Sequence, residues 1–167
     1  MEEKITVRMT DTYLFDFTLY HTYSKLAGFL TNILGAAIAF MGIIMLVMGK
    51  IKPVQIIFYL VAAVVFIAYT PLLLKYRSKK QVKGIERYHV PNEMTFNDEG
   101  IQVEFAGKKE TYEWEQIQKV VTTPKTIGFY YETEKALIVP KPDFGDKFVP
   151  ILTLATKKLG PARVHLR

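Results

Sequence analysis

The chain of 167 residues contains no cysteine, which excludes disulfides and thiolate metal sites. Serine occurs only at Ser24 and Ser78, so a Ser-His-Asp arrangement has little to build on. His21, His89 and His165 stand apart in the sequence, without metal-ligand spacing. The carboxylates group as Asp98-Glu99, Glu113 with Glu115, and Glu132 with Glu134. These groups lie in turns or beside Trp114 and read as solvated faces rather than as an acid–base pair in opposed environments. No cofactor or metal is expected, and the chain does not read as an enzyme.

Charge is missing in a more telling way from two long stretches. Leu26–Gly49 and Val54–Leu74 contain no Asp, Glu, Lys, Arg or His. As helices they reach about 36 Å and 31 Å, against a hydrocarbon core of about 30 Å. A helix satisfies its own backbone and can cross lipid. The connector Lys50-Ile51-Lys52-Pro53 is long enough only for an antiparallel turn, and Pro53 suits the first turn of the second helix. The expectation is a transmembrane hairpin, with the first run as its own insertion signal.

The positive charge sits beside this hairpin. The formal net charge is +6, but residues 88–167 carry 11 basic and 11 acidic side chains. A nucleic-acid binder would carry its surplus on the soluble part, so no nucleic-acid partner is expected. Lys75, Arg77, Lys79, Lys80, Lys83 and Arg87 follow the second run, whereas the connector holds only Lys50 and Lys52. Cations remain on the cytoplasmic side, so the asymmetry predicts a plasma-membrane protein with both termini in the cytoplasm. The same cluster suits anionic headgroups.

Gly28, Gly35, Gly42 and Gly49 recur every seven residues along the first helix. They form one stripe that admits a neighbouring backbone at close range. Two packings satisfy it: the second helix of the same hairpin, which offers Ala62, Ala63 and Ala68, or a second copy of the chain.

The remainder divides into a leader (residues 1–25), a hairpin (26–74, helices 26–49 and 54–74), a basic linker (75–87) and a domain (88–167). Ile5–Arg8 alternates like a short strand. Asp11–Lys25 fits both a period of two and a helical face through Tyr13, Leu14, Phe17, Tyr20 and His21. With Thr10 as N-cap, it reads as an amphipathic helix on the membrane surface. Six alternating segments follow in the domain: Met94–Asn97, Ile101–Phe105, Glu110–Trp114, Lys119–Thr123, Thr126–Tyr131 and Ala136–Val139. A last helix begins between Asp146 and Pro150. It aligns Phe148, Ile151, Leu152, Ala155 and Leu159 on one face and stops at Gly160-Pro161. Trp114 reads as a core residue of a corner.

Three stretches resemble the YcxB-like family: Met94-Thr95-Phe96-Asn97-Asp98-Glu99-Gly100-Ile101, then Tyr112 to Val120 around Trp114, then Leu137-Ile138-Val139-Pro140-Lys141 followed by Phe144. The resemblance runs from about Ile5 to Leu159. Pro142 departs from it, since a basic residue is commoner there in the family. The resemblance implies an α+β membrane protein: a two-helix transmembrane hairpin with a small antiparallel pleckstrin-homology-like β-barrel capped by a C-terminal helix. It assigns no activity. The reading is a membrane-tethered cytoplasmic module that acts by binding. One alternative is a sensor of anionic lipid headgroups that uses Lys108 and Lys109 at a hairpin tip with Lys75, Arg77, Lys79 and Lys80. Another is an accessory subunit of a transporter or envelope enzyme. The candidate partners are therefore the membrane, another membrane protein or a second copy.

Overall fold

Apolar alternation and turn residues produce eight strands and five helices in the computed structural model, which describes residues 2–85, 88 and 90–165. In chain order they are β1 (Glu3–Val7), α1 (Asp11–Tyr23), α2 (Leu26–Val47), α3 (Ile56–Gly84), β2 (Asn92–Phe96), β3 (Gly100–Phe105) and β4 (Lys108–Glu113). Then come β5 (Lys119–Thr122), β6 (Thr126–Tyr130), β7 (Ala136–Pro140), α4 (Lys141–Phe144), α5 (Phe148–Leu159) and β8 (Val164–His165). Met1–Phe17 and Ser78–Arg167 form one compact unit, and Thr18–Arg77 forms another.

The first unit is built on two four-stranded sheets, β1-β2-β3-β4 and β7-β6-β5-β8. The expected closed barrel is absent. After β4 the chain turns through a single 3-10 turn, Trp114–Gln116, and β5 then pairs with β6 and β8 rather than with β4. The leader strand is part of the first sheet: β1 pairs antiparallel with β2, Val7 opposite Asn92 and Ile5 opposite Met94. The sequence boundaries at residues 25 and 87 thus fall elsewhere than this division.

One core fills the unit. Ile5, Phe96, Ile101, Phe129 and Val139 meet Ile151, Leu154 and Ala155 of α5. That helix ends where expected, at Gly160 with φ 80° followed by Pro161. Trp114 is buried at its corner, 3 % exposed, and its Nε1 donates to the Asn97 carbonyl at 2.9 Å.

The amphipathic pattern of α1 predicts a helix with its apolar face on the membrane surface. The structure instead buries Leu14 and Phe17 in the protein. Phe17 packs against Tyr130 with tilted rings, centroids 5.6 Å apart, and an added Cβ at Gly128 would collide with the Phe17 ring. Asp16 fixes the same helix. Its Oδ2 accepts from the hydroxyls of Thr123 and Thr126 and from the Lys125 N–H at 3.1 Å. Thr123 and Thr126 are buried, so this carboxylate completes their hydrogen bonding.

The second unit contains most of two helices long and apolar enough to cross a membrane. The qualifying stretches are Gly28–Val47 and Pro53–Gly84, whose most apolar 18-residue windows have mean hydropathy 2.3 and 2.4. Pro53 opens a 3-10 turn that leads into α3, and Gly49 turns the chain between the helices with φ 69°.

Candidate functional site

The first unit holds a cleft of about 150 Å³ to which both sheets contribute. Its floor is set by strand alternation. Val7, Asn92, Met94 and Leu137 point inward and are nearly fully buried. Its rim carries Tyr88, Tyr112, Tyr131 and Ala136. Tyr112 leaves β4 and Tyr131 follows β6, and their rings meet at 4.7 Å between centroids. The Tyr112 hydroxyl donates to Glu110 at 2.9 Å. Among the described residues, no Asp, Glu, Lys or Arg lines the cleft.

A second depression, about 480 Å³, lies at the start of α1 between Thr10, Thr12, Lys125 and Lys141. The Lys141 N–H donates to the Lys125 carbonyl at 2.9 Å, which joins the β5–β6 turn to the end of β7. Nearby, the Asp143 carboxylate accepts from the Arg8 N–H at 2.7 Å. Partial burial raises the Asp143 pKa above the ordinary carboxylate value, against the opposing effect of that hydrogen bond and of the Arg8 charge. A third, shallow groove runs along α5 beside Phe148, Val149, Leu152 and Lys157.

The candidate lysines are dispersed. The tip of the β3–β4 hairpin is Ala106-Gly107, both with positive φ, and Lys108 and Lys109 open β4 beyond it. Lys109 pairs with Glu104 across the hairpin at 3.4 Å. Lys75, Arg77, Lys79 and Lys80 are exposed on the last turns of α3. Arg87 and His89 lie outside the described residues.

The four glycines separate into three roles. Gly35 faces Ile67 and the Ala63 carbonyl, and Gly42 faces the Tyr59 ring, so these two seat α2 against α3. Gly28 is buried against the Thr22 carbonyl of α1. Gly49 meets nothing within 4 Å and serves the turn. Tyr59 also donates its hydroxyl toward the Met45 sulfur at 3.5 Å.

Among the described residues, no three of His, Asp and Glu gather as a metal site. Ser24 donates its hydroxyl to the His21 carbonyl at 2.9 Å and closes the end of α1. The cleft residues and Asp16 were not apparent in the sequence. Asp16 did leave one signal there, as a lone acid among Tyr13, Leu14, Phe15 and Phe17.

With this geometry in place, comparison with known proteins adds one positive result. Residues 96–149 match the family described as YcxB-like protein. The matched stretch begins at the end of β2 and stops at the second residue of α5. It bears out the family resemblance over that stretch and includes Tyr112 and Tyr131 of the cleft. The YcxB-like stretch leaves out β1, α1 and both long apolar helices. No curated protein and no solved structure matches the chain.

Proposed function

We propose that this chain is a membrane-anchored binding module that acts without catalysing a reaction. In this reading α2 and α3 cross the plasma membrane as a hairpin. The β-rich unit stands on the cytoplasmic side as a pleckstrin-homology-like domain, in which two sheets and an apolar-faced C-terminal helix replace the closed barrel.

The observation that carries the anchoring is the exposure of apolar side chains around both long helices. Phe40 is 65 % exposed, Phe58 74 % and Leu72 65 %. Helices apolar on every side need cover, and only 11 % and 6 % of their most apolar windows are buried within the chain. Lipid supplies that cover, and the helices leave no backbone groups unsatisfied in it.

The pairing of β1 with β2 supports a double crossing. Val7 and Asn92 are neighbours in one sheet, so the chain must return to the side from which it left. Two spans meet that condition, and one does not. The side follows from charge: the cations at the end of α3 outnumber Lys50 and Lys52 of the connector.

Lipid-headgroup sensing is a second reading, favoured by the exposure of Lys79 and Lys80 on α3. That helix has 29 residues, about 44 Å at 1.5 Å per residue, so its basic end extends past a hydrocarbon core of about 30 Å. Each exposed cation near an anionic surface contributes on the order of 1 kcal/mol.

Reporter fusions test the anchoring. A reporter joined after Arg167 is expected to be active only in the cytoplasm, and one inserted between Lys50 and Lys52 only outside. The reverse pattern would sink the orientation. Release of the full chain from membranes by carbonate washing would sink the anchoring.

A further inference from the structure

We propose that the cleft between the two sheets is a binding site for a small neutral aromatic molecule carrying one hydrogen-bonding group, of the size of phenol or indole. Binding at this cleft does not depend on where the hairpin sits, so the proposal goes beyond the membrane-anchored reading.

Volume sets the first limit. The cleft measures about 150 Å³. A cavity of about that volume accepts a single benzene-sized ring, and larger cofactors need roughly 300 Å³ or more. Charge sets the second. Among the described residues, no acid or base with a full charge at neutral pH lines the cleft. An ion would therefore lose hydration without meeting an opposite charge among them.

The walls favour a flat ring. Tyr112 and Tyr131 meet with their rings tilted by 46°, and Tyr88 stands on the same rim, so aromatic faces and edges border the cleft. Aromatic pairs gain from offset and edge contacts. Met9 and Met94 add thioethers that adapt their shape and contact ring edges favourably. Asn92, 5 % exposed on the floor, places a side-chain amide beside Val7, Met94 and Leu137. A polar group among apolar side chains orients a ligand that has one hydroxyl or N–H.

The test uses the full chain in lipid nanodiscs, labelled at its methionine methyl groups, with phenol as probe and benzoate as charged comparator. Met41, Met45 and Met48 of the hairpin report partitioning into lipid, whereas Met9 and Met94 report the cleft. Phenol is expected to shift the Met9 and Met94 resonances saturably, with a dissociation constant on the order of 1 mM. Benzoate is expected to act at least tenfold more weakly. Ala136→Leu fills the rim and is expected to weaken phenol at least tenfold with the other resonances in place. Ala136→Val gives a smaller loss and serves if the leucine variant fails to fold. Shifts that never saturate, equal binding of benzoate, or undiminished binding by whichever variant folds would overturn the proposal.

Discussion

The ring of Phe17 lies where a side chain at position 128 would have to be, so Gly128 and Phe17 are one packing decision made by two residues. Both are buried. A Cβ on β6 would push α1 away from the sheet. Gly128→Ala is therefore expected to destabilise the protein by about 1–3 kcal/mol through overpacking. Shortening the ring with Phe17→Leu is expected to recover part of that loss. Thermal midpoints of the two single variants and the double variant give the coupling, and strict additivity would mean that the two positions act independently.

Asp16 supplies the polar half of the same junction. Asp16→Ala takes an acceptor away from buried Thr123 and Thr126 and from the Lys125 N–H. The expected cost is about 1–3 kcal/mol, with faster hydrogen exchange in α1 than in β2 or β3. Uniform acceleration over all elements would count against a local tie. Asp16→Asn keeps one acceptor oxygen and is expected to lose less.

The glycines of α2 separate by variant. Gly35→Leu and Gly42→Leu place carbon against Ile67, the Ala63 carbonyl and the Tyr59 ring, and are expected to lower the thermal midpoint in detergent. Gly49→Ala meets no atoms and costs only the strain of a positive φ, about 1–2 kcal/mol. If Gly35→Leu and Gly42→Leu left the midpoint unchanged, the hairpin would not depend on close approach at those positions.

Asp143 gives a pH test. Its pKa is raised in the folded protein, chiefly by burial, so ionisation is harder there than in the unfolded chain. The favourable contribution is complete below the unfolded value and is lost as pH rises through the folded one. At neutral pH the ionised group is therefore a net cost. Asp143→Asn keeps an oxygen for the Arg8 N–H without the charge. It is expected to have a higher midpoint than the parent near pH 7, with the difference vanishing near pH 3. A variant less stable at both pH values would show that the Arg8 contact outweighs the burial of charge.

What could be read from the sequence depended on how local each signal was. The hairpin stood out because the absence of charge over Leu26–Gly49 and Val54–Leu74 needs no partner to interpret. The face of α5 showed in its own spacing, and the burial of Trp114 followed from its place between two strands. Non-local choices were hidden. Period two marks β1 as a strand without saying that Asn92 stands opposite Val7. The helical face of α1 was visible, but its bed lies on β6. Asp16 hydrogen-bonds to a threonine 107 residues away. Strand counting cannot tell a closed barrel from two sheets, and β8 has only two residues with which to show any period. The cleft was least legible, because its walls come from several segments that are distant in sequence.

The pairing of β1 with β2 also sets an order of events during biogenesis. Ile5 and Val7 leave the ribosome first, yet their partner strand starts at Asn92, after the whole hairpin. At about 5–20 residues per second, a nascent chain carries that unmatched edge for on the order of 10 s. In the membrane-anchored reading both apolar helices are delivered to lipid during this interval, and a bare strand edge is a template for the wrong neighbour. A truncated chain starting at residue 88 would escape the wait but would leave β2 without its neighbour. Soluble expression would then call for grafting residues 2–17 ahead of β2 through a short flexible link.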